Sequence, residues 1–174
     1  MEEEPTVADA RTVYRTHPTD DEIADVLAQR LTAAVGTHNA DGSIHLAYVI
    51  FLHHDDRLYL ETSSVTRKVR NAQRTGTASL LVQGRAATGR SLMVAVEGTA
   101  RVIEGDEAHR INERLRAKYL KTEVLDAVNR VWGQLDDVAI EISPHTWRSW
   151  TGSALHDATA AELDVPYDEA WLPD

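Results

Sequence analysis

Arg57-Leu-Tyr-Leu-Glu-Thr62 has the two-residue period of a strand, and within a few residues the pattern becomes that of a capped helix. Ser63 and Ser64 suit an N-cap, and the spacing predicts a helix from Val65 to about Thr75, stopped at Gly76. A strand that runs directly into a helix start gathers hydroxyls (Thr62, Ser63, Ser64, Thr66), free backbone N–H groups and two adjacent cations, Arg67 and Lys68. Such a turn suits a phosphate monoester, because a helix start attracts an anion and a guanidinium grips it with two donors. An ordinary capped helix with solvated cations has the same local pattern, so the order of the surrounding elements must decide.

That order predicts a small barrel. Thr19-x-x-Glu22 is a capping box, and Ile23, Val26, Leu27 and Leu31 recur at helical spacing. Leu31–Thr37 and Ile44–His53 read as strands about an Asn39–Ser43 turn in which Gly42 supplies the positive φ. Asp55-Asp56 turns into the strand at 57–62, and Thr77–Gln83 follows the helix. Ser91–Ile103 is a long strand in which Gly98 signals a bulge or a close approach. Helices are expected after Glu104-Gly105-Asp106, with Ala108, Ile111, Leu115 and Tyr119 on one side, and after Thr122, with Leu125, Val128 and Trp132. Val138–Ile142 and Thr146–Trp150 read as two closing strands around Pro144. Helices that stand beside the strands, rather than alternating with them, argue against a doubly wound sheet.

At 174 residues the chain is one domain with room for a core that buries roughly 70% of the unfolded surface. The expected division is a polar segment 1–18, a domain 19–152 and an acidic tail 153–174. No Cys is present, which removes disulfides, thiolate metal sites and thiol nucleophiles and fits a reducing cytoplasm. Met-Glu-Glu-Glu-Pro lacks an apolar signal core, and no apolar run has the length of a membrane span. The net charge is −10, from 18 Lys and Arg against 28 Asp and Glu, which disfavours nucleic acid and anionic lipid. Arg67, Lys68, Arg70, Arg74, Arg85 and Arg90 nevertheless cluster mid-chain, the pattern of a small anionic ligand.

From about Leu31 to Trp150 the sequence resembles the flavin-binding split-barrel family typified by pyridoxamine 5′-phosphate oxidase. The resemblance is carried by Asp41-Gly42, Leu46–Phe51, Leu60-Glu61-Thr62, Thr66-Arg67-Lys68 and Val96-Glu97-Gly98-Thr99-Ala100. It implies a mainly β fold with flanking helices, an antiparallel split barrel. It implies that Glu61, Thr62, Ser63, Thr66, Arg67 and Lys68 hold the phosphate and ribityl chain of FMN. Ala47, Tyr48, Val49 and Ile50 would then run along the isoalloxazine ring, with Trp147 or Trp150 flanking it. It also implies a homodimer with the cofactor site at the subunit interface. The sequence departs from the oxidase on the substrate side: Leu46 and Phe51 stand where the oxidase has cations, Met93 aligns near its Gln, and its Arg-Pro segment and C-terminal Arg-x-His are missing. Pyridoxamine phosphate is therefore not the expected substrate, and a largely apolar one is.

Other sites are weaker. His38 and His45 flank the Asp41-Gly42 turn and would be cross-strand neighbours, but no third metal ligand is placed, and His53-His54 point to opposite faces. No metal site is expected. Neither Gly-x-Ser-x-Gly nor a P-loop is present, and no side chain stands out as a general acid or base. Trp132 is expected in packing, and Trp171 as an anchor for the tail. The expected function is an FMN-dependent oxidoreductase moving hydride to or from a small apolar substrate. The alternatives are a reductase using an 8-hydroxy-5-deazaflavin coenzyme and a non-catalytic flavin- or haem-binding protein.

Overall fold

A computed structural model describes residues 17–170. Six antiparallel strands form a closed barrel in the order β1-β2-β3-β6-β5-β4. The strands are β1 (Thr32–His38), β2 (Ile44–His54), β3 (Arg57–Ser63), β4 (Thr77–Arg85), β5 (Ser91–Ile103) and β6 (Asp137–Thr151). The helices are α1 (Asp20–Ala28), α2 (Arg67–Thr75), α3 (Gly105–Tyr119), α4 (Thr122–Trp132) and α5 (Ser153–Glu162), followed by a 3₁₀ turn, Tyr167–Ala170. The expected split-barrel architecture with flanking helices is the observed one.

Alternation along each strand builds the barrel. Val35, Phe51, Leu58, Leu60, Leu80, Val94 and Ile140 turn inward and are fully buried. The two ends are plugged by different helices. Val26 and Leu27 of α1 enter the core at the end where β1 begins and β4 finishes, and Gln29 Nε2 donates to the Arg85 carbonyl at 2.9 Å. Val69 and Ala72 of α2 enter at the opposite end. The capping box of α1 forms as expected, with Glu22 N donating to Thr19 Oγ1 at 3.2 Å and Thr19 N to Glu22 Oε2 at 3.0 Å.

Helix α3 lies outside the barrel, where Ala108 and Ile111 pack against Tyr59, Ile103 and Ala139. Its last turn ties α1, β1 and β2 together. Tyr119 Oη donates to the Leu31 carbonyl at 2.7 Å and accepts from Phe51 N at 3.2 Å, and Lys118 Nζ donates to the carbonyls of Leu27 (3.0 Å) and Phe51 (3.3 Å).

Several sequence expectations are corrected. The two closing strands are one continuous strand, β6, whose bulge opposite Glu97/Gly98 absorbs Pro144, a residue that has no N–H to donate. Helix α2 begins at Arg67, not Val65, and its N-cap is Thr66. Ser63 stays in β3 opposite Asp137, and Ser64 is held by Asp136, its N donating to the carbonyl at 3.1 Å and its Oγ to the carboxylate. Trp132 is 39% exposed and stacks on the Arg116 guanidinium instead of joining the core. His45 stands opposite Thr37, and His38 opposite Ile44, so the two His face opposite sides of the hairpin. Among the described residues no cluster of His, Cys, Asp or Glu could hold a metal. Part of the tail is helical, in α5; Trp171 and residues 1–16 lie outside the described residues. Among the described residues no helix is long and apolar enough to cross a membrane.

Two outcomes follow from this packing. A Cβ on Gly98 would lie 2.4 Å from the Ser143 carbonyl oxygen, a backbone atom fixed by the bulge. Gly98→Ala is expected to lower stability by about 1–3 kcal/mol, measured by chemical denaturation. Burial lowers the Lys118 pKa to about 8, below its value in an unfolded chain. The unfolded state therefore binds more protons between pH 8 and about 10.5, and stability should rise with pH through that window. Relative to Lys118→Met, wild-type denaturation midpoints should climb from pH 8 to 10; parallel profiles would refute the assignment.

Candidate functional site

Strand β3 delivers alternate side chains to opposite sides. Leu58, Leu60 and Thr62 face the barrel interior, whereas Tyr59, Glu61 and Ser63 face outward beneath α3. Thr62 therefore reaches the barrel end that α2 plugs. Its Oγ1 lies 3.1 Å from Thr66 Oγ1, and Thr66 makes no side-chain cap bond to the helix. Arg67 and Lys68 open the first turn of α2, which carries no acidic residue. Arg67 lies close enough to Asp41, at the β1–β2 turn, to help lower that carboxyl's pKa, after the larger effect of the Ser43 hydroxyl and N–H. Lys68 is half-buried, and desolvation alone lowers its pKa. It has no hydrogen-bond or ion-pair partner among the described residues.

A partly desolvated ammonium without a counter-ion is an unfavourable arrangement that an anion would relieve. Two hydroxyls, of Thr62 and Thr66, and the free N–H groups of the α2 start belong to the same strand-to-helix junction. These are the donors a phosphate monoester needs, so Thr62, Thr66, Arg67 and Lys68 fit the phosphate end of a flavin-type coenzyme.

Glu61 and Ser63 do not join this group through their side chains. Glu61 is buried on the other face, where Arg116 Nε donates to its Oε1 at 2.8 Å. Arg116 also bonds Asp137 at 2.5 Å and Asn129 at 3.3 Å. Burial raises the Glu61 pKa, and Arg116 opposes that rise. The cluster is structural: it fastens α3 and α4 to β3 and β6.

The ring-side residues split the same way. Ala47, Val49 and Phe51 turn inward, while Leu46, Tyr48 and Ile50 turn out. Phe51 is fully buried beneath Lys118, whose Nζ is 4.2 Å from the ring centroid, so it cannot stand on the substrate side. Leu46 does stand there, 68% exposed, and Tyr48 is 84% exposed.

On this outer face the register places small residues side by side. Gly36 pairs with Leu46 and Ser79, and Leu81 with Ala34 and Ala95. Small side chains make the floor and Leu46, Leu81 and Trp150 the walls of an open cavity of about 380 Å³. Thr37 and His38 line its rim. They belong to the stretch of β1 that α2 grips: Asn71 Nδ2 donates to Thr37 Oγ1 at 3.1 Å, and Arg74 bonds the His38 carbonyl. The anion grip and the apolar trough are thus neighbours across one hairpin. Trp150 lines this trough; Trp147 turns to the other side and meets His53 edge-on at 5.9 Å. Sequence reasoning missed the trough floor and Asn71. The signal for Asn71 was an amide among the apolar positions of an otherwise charged helix, beside Val69 and Ala72.

A closed six-stranded barrel with this strand order, a helix start at one end and flanking helices defines a split barrel. The sequence profile of the pyridoxamine 5′-phosphate oxidase family matches residues 19–151, and the chain belongs to that family. Among solved structures, a conserved hypothetical protein from Mycobacterium tuberculosis is 25% identical, with a TM-score of 0.66 over 79% of this chain and 88% of that one. The haem storage protein HutZ from Vibrio cholerae is 17% identical, with a TM-score of 0.60 over 75% and 94%. An F420 reductase is 18% identical, with a TM-score of 0.55 over 75% and 98%. No curated protein sequence is significantly similar to this chain.

Proposed function

We propose that this chain is an oxidoreductase that binds FMN, with the phosphate on Thr62, Thr66, Arg67 and Lys68. The observation that carries this reading is Lys68, half-buried, lowered in pKa and unpartnered beside a helix start. The ring would lie along the β2 backbone from Ala47 to Ile50, over the trough walled by Leu46 and Trp150. When bound, the coenzyme supplies hydride transfer. The chain's own residues bind its phosphate, orient its ring and keep water from one side of it. The substrate would be small and largely apolar, because the outer face offers Leu46, Tyr48, Leu81 and Ala95 and few charges. The same exposed face supports a homodimer, in which a second copy would cover the trough and complete the site.

A deazaflavin coenzyme fits the same phosphate grip, and the likeness to an F420 reductase keeps it as the second reading. The visible spectrum of the copurified chromophore separates the two, with two bands for FMN and one for the deazaflavin.

Charged hydrogen bonds to phosphate are worth about 1.5–3 kcal/mol each. Arg67→Ala and Lys68→Ala should each weaken FMN binding at least tenfold in a fluorescence titration. Unchanged affinity for both FMN and the deazaflavin would sink the assignment.

The oxidase's namesake reaction is expected to be absent. Leu46 stands where that enzyme has a cation, and a phosphate dianion set in this trough would be left unpaired. Purified protein should form no measurable pyridoxal phosphate from pyridoxamine phosphate. Turnover near 10 per second, about the median for enzymes, would restore that reaction as the function.

A further inference from the structure

Helix α2 carries the anion grip on its first turn, and β1 carries the rim of the trough. The contacts that join them differ in kind. Val69 and Ala72 anchor α2 in the core, but apolar contacts have no direction and allow a helix to slide or roll. Arg74 reaches the His38 carbonyl from an exposed position. Asn71 is different: it is 5% exposed, and its carboxamide nitrogen donates to Thr37 Oγ1 at 3.1 Å and to Asn39 Oδ1 at 3.0 Å. Both of its N–H donors are therefore used, one by the strand and one by the turn that follows it. Thr37 is 1% exposed and is itself part of the trough rim.

A slip of α2 along the hairpin would leave two buried donors unpaired, which is costly. Asn71 lies one helical turn beyond Arg67 and Lys68, so locking its carboxamide locks their position relative to β1.

We propose that Asn71 is a positioning residue for the coenzyme. Through Thr37 and Asn39 it fixes the separation and angle between the anion grip on α2 and the apolar trough. FMN joins its phosphate to its flat ring through a ribityl chain of limited reach, so both ends must find their sites within that reach at once. A misplacement of an ångström between the two costs the simultaneous contacts, while each half of the site still binds its own part. This inference rests on the reading of the site as one for a phosphate-bearing flavin-type coenzyme.

The test compares FMN with riboflavin, which has the ring but lacks the phosphate, by calorimetric titration of wild type, Asn71→Leu, Thr37→Val and Asn39→Asp. Wild type should favour FMN strongly. Asn71→Leu should raise the Kd for FMN at least tenfold and leave that for riboflavin within twofold. Thr37→Val, which removes one acceptor and keeps the shape, should move FMN affinity the same way by a smaller factor; it carries the test if Asn71→Leu does not fold. Asn39→Asp preserves an acceptor and should retain FMN affinity. Equal losses for the two ligands would mark Asn71 as merely structural and overturn the proposal. So would unchanged FMN affinity in both Asn71→Leu and Thr37→Val. A folded wild type that binds neither FMN nor the deazaflavin would instead refute the proposed function, and this inference with it.

Discussion

Everything in this molecule depends on β6 being paired on both sides. Residues 137–142 bond to β3 on one edge, and the strand bonds to β5 from Ala139 to Thr151 except where it bulges. That double pairing closes the sheet and removes the open edges a six-stranded meander would present. The strand bulges opposite Gly98 of β5, where Ser143 comes so close that no side chain fits. The bulge divides β6 into a half that seals the barrel beneath α3 and a half that carries Trp150 to the outer trough. Closure and site geometry therefore have one origin.

The same logic separates load from function along β3. Its outward side chains meet Arg116, a buried cation satisfied by Glu61, Asp137 and Asn129. Breaking such a cluster by removing one partner would strand a buried charge. Its inward side chain at the barrel end, Thr62, meets the Thr66 hydroxyl at the junction with α2. The outward face is bound into this ion-pair cluster, although Glu61 Oε2 has no hydrogen-bond partner among the described residues.

Much of this was legible in the sequence. The limits of β5, Ser91–Ile103, follow from strict alternation, because inner and outer neighbours impose period two on every residue. The capping box of α1 is local and forms as read. What could not be read depended on distant partners. Ser63 and Ser64 have every local property of helix caps, but Asp137, more than seventy positions away, pairs Ser63 into the sheet, and Asp136 holds Ser64 in the turn that follows. Trp132 looks like a core residue until Arg116 offers its guanidinium plane. Phe51 is a different case. Its inward direction is implied by its spacing from Val49, and an alignment by family position overrode that parity.

Face assignment is the step that converts a motif into a site. Glu61, Thr62 and Ser63 are adjacent in sequence and the family resemblance groups them, yet the pleat turns Thr62 to the barrel end beside Thr66 and its neighbours to the outer scaffold. On β2 the same parity turns Leu46 and Tyr48 outward, Leu46 into the trough, and Ala47 and Val49 to the interior, which leaves the backbone of 47–50 between the two. A flat ring laid along β2 would thus meet main-chain groups and the outward side chains, not Ala47 or Val49. Under the proposed function, Leu46, Tyr48 and Trp150 would then be the side chains that face what lies above the ring.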